Sequence, residues 1–124
     1  MPKALVIDDS RAMRMIVSKL LVKAGFEVTQ AANGREGLEA MEAHSGAFEI
    51  ALVDWNMPDV NGLEFVERVR ARPEWARVRL MMVTTETEME QVSRALAAGA
   101  DEYVMKPFTE EALADKVRLL GMPA

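Results

Sequence analysis

Five short runs of Val, Ile, Leu and Met, each followed by a segment with helical start and stop signals, leave this chain very few architectures. The runs fall at residues 3–7, 26–30, 49–53, 79–83 and 102–105, bounded by Gly, Pro, Asp, Asn or Thr as strands should be. Between them, Asn33, Asn61 and Thr87 each stand three residues before a glutamate (Glu36, Glu64 and Glu90), the spacing of a capping box. Gly25, Gly99 and Gly121 sit where a left-handed residue would close the first, fourth and fifth helices. In the last helix Leu113, Val117 and Leu120 share a face, and Glu110 and Glu111 in its first turn complement the dipole. The pattern predicts an α/β fold in which a strand–helix unit repeats five times.

Strands apolar on both faces and separated by helices require a parallel sheet covered on both sides. Right-handed crossovers then bring the C-terminal end of every strand to one edge, where open α/β sheets bind their ligands. The length of 124 residues suits one domain, 1–124, without room for a second core. No apolar run approaches the ~20 residues of a membrane-spanning helix, and the opening Met-Pro-Lys does not read as a signal peptide. Without cysteine there is no disulfide framework, thiolate metal site or cysteine nucleophile. These features predict a cytoplasmic protein that does not engage membrane. Fifteen basic against twenty acidic residues give a net charge of −5, which disfavours binding to nucleic-acid phosphates.

The expected ligand edge carries polar groups after four of the five strands: Asp8 and Asp9, then Asp54, then Thr84 and Thr85, then Lys106. Taken singly, each has a structural explanation. Asp9 or Ser10 could cap the first helix, Thr84 could cap another, and Lys106-Pro107 could be a turn. Taken together, three carboxylates on one edge repel unless a cation sits among them. All-oxygen ligands with open water positions suit Mg²⁺ better than a closed Ca²⁺ cage. A metal and a lysine beside a carboxylate form a site for a phosphoryl group, to which the Thr84 hydroxyl could donate. Asp54 could then act as a nucleophile, giving an aspartyl phosphate labile enough to be a temporary mark.

The order Asp8-Asp9, Asp54, Thr84, Lys106-Pro107 resembles the receiver domains of two-component response regulators, over essentially the whole chain. Within that family, Asp54-Trp55-Asn56-Met57-Pro58, the stretch from Leu80 to Glu86 and that from Tyr103 to Phe108 are most similar to the single-domain chemotaxis (CheY-like) regulators. The resemblance implies a flavodoxin-like, five-stranded parallel sheet of order 2-1-3-4-5 flanked by five helices. It further implies that Asp54 is the phospho-acceptor, and that Asp9, Asp54 and the backbone carbonyl of Asn56 bind Mg²⁺, with Asp8 reaching it through water. Lys106 would pair with the phosphoryl group, directed by a cis bond to Pro107. Thr84 would turn toward the phosphoryl oxygen and Tyr103 into the space it leaves, reshaping a face made of the fourth helix, fifth strand and fifth helix. The implied protein is a monomeric response regulator rather than a turnover enzyme. Its implied partners are a histidine kinase and a downstream protein such as a flagellar-motor switch component.

Thr85 departs from the small residue usual in chemotaxis relatives, which would restrict access to Asp54. Val60 replaces a common methionine, a packing change. Asn56 and Glu86 match positions that tune hydrolysis in the family. A relay or cell-cycle receiver that passes its phosphoryl group to another histidine protein is the alternative reading. A dehalogenase-like phosphatase would need a second acid where Asn56 stands, and a flavin phosphate would be repelled by Asp8 and Asp9. The methionines are expected to fill the core, His44 to lie at the surface, and the five arginines of residues 68–79 to form a solvated helix end and loop.

Overall fold

The computed structural model describes residues 1–55, 57, 60–85, 90–106 and 108–121. Strands β1 (Lys3–Ile7), β2 (Glu27–Ala31), β3 (Ile50–Asp54), β4 (Arg79–Thr84) and β5 (Glu102–Met105) alternate with helices α1 (Arg11–Lys23), α2 (Gly34–Ala43), α3 (Gly62–Arg70), α4 (Val92–Ala98) and α5 (Glu110–Leu119). The strands form one parallel sheet in the order β2-β1-β3-β4-β5. Two strands begin one residue later than the apolar pattern predicts, at Glu27 and Ile50. The third and fourth strands also end one residue later than predicted, so Asp54 and Thr84 are the last residues of β3 and β4 instead of the first residues beyond them.

The central strands β1, β3 and β4 are apolar on both faces, and the period of two sorts their side chains into two cores. Leu5, Ile7, Ala51, Val53, Leu80 and Met82 pack beneath α2, α3 and α4 with Met41, Phe65, Val66, Val69 and Ala95. Ala4, Val6, Ile50, Leu52, Met81, Val83 and Val104 face the other way, against Val17 and Leu21 of α1 and Leu113 and Val117 of α5. Because β2 lies on one side of β1 and β3 on the other, the chain reverses direction across the sheet between β1 and β3. That is where an open α/β sheet leaves a crevice at its C-terminal edge.

Side-chain caps fix the helix starts. Asn33 accepts from Glu36 N at 2.8 Å and Asn61 from Glu64 N at 2.9 Å, as the spacing predicts. Neither is a reciprocal box: Glu36 accepts instead from Ala32 N, and Glu64 pairs with Arg68 one turn on. Thr109 caps α5 through Ala112 N, and Ser10, not Asp9, caps α1 through Met13 N. Thr87 lies outside the described residues. Gly25, Gly99 and Gly121 all have positive φ at helix C-terminal ends.

Two expectations need correction. Met41, Met57, Met81 and Met82 are buried, but Met15 is exposed on α1 and Met105 is exposed at the end of the edge strand β5. Met89 lies outside the described residues. Arg70, expected in a solvated helix end, is a tertiary clamp. Its guanidinium donates to Gly99 O (2.9 Å), Val78 O (2.8 Å) and Asp101 Oδ2 (2.8 Å), tying the end of α3 to the end of α4 and the start of β4. Arg72 lies 4.1 Å above the ring of the buried Trp75 while pairing with Glu42 and Glu74.

Candidate functional site

Parallel pairing of β1 with β3 sets Ile7 beside Val53, so the residues that follow, Asp8 and Asp54, emerge next to one another at the crevice. Asp8 and Asp54 are buried, whereas Asp9 is exposed. One carboxylate oxygen from each of the three lies within 4.8 Å of the others. The backbone holds the group in place. Asp8 N donates to Ala31 O, Ser10 N donates to Asp8 Oδ1 at 2.9 Å, and Trp55 N donates to Val83 O. Since Ser10 supplies the helix cap, neither Asp8 nor Asp9 is used in capping α1.

Lys106 closes the cluster from the far side. Its backbone N donates to Thr84 O, anchoring the end of β5 to the end of β4. Its Nζ donates to Asp54 Oδ1 at 3.0 Å and to Asp8 Oδ2 at 3.3 Å. Thr84 is buried at the end of β4, with its hydroxyl 3.3 Å from Thr85 O. Thr85 is half-buried beside it.

The electrostatics follow from setting two buried acids and one exposed acid around a single base. Desolvation pushes the Asp54 carboxyl up from 3.8 to about 6. The Lys106 hydrogen bond opposes that rise, and the charges of Asp8 and Asp9 add to it. Burial alone would depress the Lys106 ammonium, but its hydrogen bond and charge pairing with Asp54, then Asp8, outweigh this and raise it. Three carboxylates face one ammonium here, so the lysine alone does not neutralise the cluster. The donor set is all oxygen, is converging and has one member open to solvent, so these residues fit a hard divalent cation.

The structure thus brings together the side chains of Asp8, Asp9, Asp54 and Lys106, with Thr84 joined to Lys106 through its backbone carbonyl. Asn56, Glu86 and Pro107 lie outside the described residues. Tyr103 is half-buried against the core on the α4 side of the sheet, one residue pair along β5 from Val104. Sequence reasoning missed Arg14, whose Nη1 donates to Asp8 O at 2.7 Å and so fixes the backbone of an acid in the cluster. The available signal was a helix whose first turn carries arginines and no acid, against the preference of its dipole.

Residues 4–118 match the family model of the response regulator receiver domain. The chain belongs to the response regulator receiver family. It is 39% identical over 119 residues to the chemotaxis protein CheY1 of Helicobacter pylori (strain J99), covering 95% of each chain. To the chemotaxis protein CheY of Pseudomonas aeruginosa it is 38% identical over 116 residues, covering 93% of this chain and 92% of that one. Among solved structures, chemotaxis response regulator CheY4 of Vibrio cholerae superposes with a TM-score of 0.87 at 38% identity, over 97% of this chain and 98% of that one. This receiver is therefore a CheY-like signalling protein rather than a turnover enzyme, with an acidic pocket consistent with a phospho-acceptor site.

Proposed function

We propose that the chain is a single receiver domain that works as a stand-alone phospho-acceptor switch, with Asp54 as the acceptor. The observation that carries this reading is the contact of Lys106 Nζ with Asp54 Oδ1 inside a cluster of three carboxylates. An Asp54 oxygen forms the new bond to phosphorus as the P–N bond to a kinase phosphohistidine breaks. The leaving imidazole takes up its proton from solvent, and the product is an acyl phosphate. Asp9, Asp54 and the carbonyl of Asn56, with Asp8 through water, would hold Mg²⁺, which supplies positive charge against the phosphoryl oxygens.

The chain's own groups do the rest. Lys106 gives up its contacts with Asp54 and Asp8 to pair with the phosphoryl group, and Arg14 and Ser10 keep Asp8 in place meanwhile. Thr84 turns its hydroxyl toward a phosphoryl oxygen, and Tyr103 follows into the space it vacates. This coupled step biases the face formed by α4, β5 and α5 toward a partner-binding form, a local charge event read out through packing. The partner is proposed to be a flagellar-motor switch protein, because the relatives from Helicobacter pylori and Pseudomonas aeruginosa, which this chain matches over nearly their whole length, are chemotaxis proteins. The proposed setting is a cytoplasmic monomer, and no helix among the described residues is long and apolar enough to cross a membrane.

The test is intact-mass spectrometry after incubation with acetyl phosphate and Mg²⁺, alongside Asp54→Asn. One phosphoryl group, requiring Mg²⁺ and absent from the variant, is expected. If neither acetyl phosphate labels the protein nor beryllofluoride changes the fluorescence of Trp55, the reading is wrong.

A further inference from the structure

The ring of Tyr103 is covered by a side chain that the phosphoryl chemistry does not use. Lys116 Nζ of α5 lies 4.5 Å from the Tyr103 ring centroid. The same ammonium is 3.2 Å from Glu102 Oε1, and that same oxygen accepts from Tyr103 N at 2.9 Å. Three side chains from β5 and α5 therefore close a ring of contacts: carboxylate to backbone amide, carboxylate to ammonium, ammonium to aromatic face. Glu102 and Lys116 are both partly shielded, with side-chain exposures of 20% and 29%. An ammonium fixed by a carboxylate loses less rotamer freedom in meeting the ring than a free lysine would, so the contact is preorganised.

We propose that Glu102 and Lys116 are positioning residues that latch Tyr103 in its resting place and so set how readily the switch turns. The proposal rests on the reading that Tyr103 moves when Asp54 is loaded. Turning the ring inward leaves the ammonium without its aromatic face, so the latch opposes the turn. Any ligand coupled to the turn then binds more weakly than it would without the latch, by the population of competent receiver that the latch removes. An exposed cation–π contact sets the expected size at about two- to five-fold.

Tyr103 is the only tyrosine in the chain, so 3-fluorotyrosine gives a single ¹⁹F resonance. The experiment compares wild type with Lys116→Met, Glu102→Gln and Lys116→Arg, first in EDTA and then in a titration with beryllofluoride and Mg²⁺. In EDTA, the first two variants are expected to move the resonance toward its position in the loaded wild type. Both are also expected to bind beryllofluoride about two- to five-fold more tightly, while Lys116→Arg, which keeps a cation over the ring, stays near wild type. Long-range charge predicts otherwise: loss of Lys116 would weaken anion binding and loss of Glu102 would strengthen it. Opposite shifts in the two variants, or none in either, overturn the latch. If the wild-type resonance does not move on loading although Trp55 reports binding, the Tyr103 step itself is wrong, and the two failures remain distinct.

Discussion

The ammonium of Lys106, at the end of β5, reaches across β4 to lie 3.0 Å from Asp54 Oδ1 at the end of β3. One cation thereby bridges Asp54 to Asp8 at the end of β1, whose Oδ2 lies 3.3 Å from the same ammonium, and spans most of the width of the sheet.

Removing that cation leaves buried carboxylates uncompensated. Lys106→Met is expected to lower the stability of the metal-free protein by on the order of 1–3 kcal/mol at pH 8. The loss should shrink below pH 5, where Asp54 takes up a proton and the demand for a cation falls. Urea denaturation in EDTA at the two pH values checks this. A variant as stable as wild type at pH 8 would mean that Lys106 contributes only to chemistry.

Most of this site was legible before the fold was known, because the identities of strand-end residues survive small errors in strand boundaries. The predicted runs at 26–30 and 49–53 were displaced by one residue from β2 and β3, yet Asp54 still fell at the ligand edge. Parallel topology required only that each strand end in the same direction. Contacts made by long side chains between distant elements were not legible. Arg70 meets Gly99 and Asp101, and Lys116 meets Tyr103, through the packing of whole helices on the sheet, for which local periodicity carries no signal. The exposure of Met15 and Met105 was not legible either, because it depends on which part of α1 and which end of the edge strand β5 the neighbouring elements leave uncovered.

The metal-free protein should lose stability as Asp54 ionises. Its carboxyl titrates near 3.8 when unfolded and at about 6 when folded, so the folded state holds the proton more tightly. The favourable contribution of the protonated group is complete below about pH 4 and is lost as pH rises through about 6. Asp54→Asn, which cannot ionise, is expected to exceed wild type in EDTA at pH 8 by on the order of 2–3 kcal/mol and to match it near pH 4. Mg²⁺ should remove the difference at pH 8 by stabilising wild type through the ionised cluster. Equal denaturation midpoints at pH 8 in EDTA would show that Asp54 ionises without strain.

Arg70 joins α3 to the end of α4 through a guanidinium fork that a lysine cannot reproduce. Arg70→Ala strands the carbonyls of Val78 and Gly99 and leaves Asp101, which also accepts from Leu80 N, without its cation. A loss of about 2–4 kcal/mol is expected, with Arg70→Lys recovering less than half. Chemical denaturation measures both. Full recovery by lysine would show that charge, not the fork, matters.

Gly62 opens α3 immediately beneath the end of β3, and no side chain fits there. A Cβ on it would lie 2.9 Å from Asp54 O, from Trp55 Cα and from Met82 Cε. The methionine end can move, but the two backbone atoms belong to the segment that presents Asp54, where Gly62 N also donates to Trp55 O at 3.0 Å. Gly62→Ala is therefore expected to push the end of β3 outward, at about 1–3 kcal/mol in stability. The displacement should also weaken Mg²⁺ binding, followed by quenching of Trp55, by more than the stability change alone explains. Gly25→Ala provides the control: its positive φ makes alanine costly in stability, but a Cβ there meets nothing within 4 Å and it is remote from the cluster. A Gly62→Ala protein that is destabilised yet binds Mg²⁺ as tightly as Gly25→Ala would show that the end of β3 tolerates the shift, and that Asp54 is positioned by Lys106 and the sheet rather than by the turn below it.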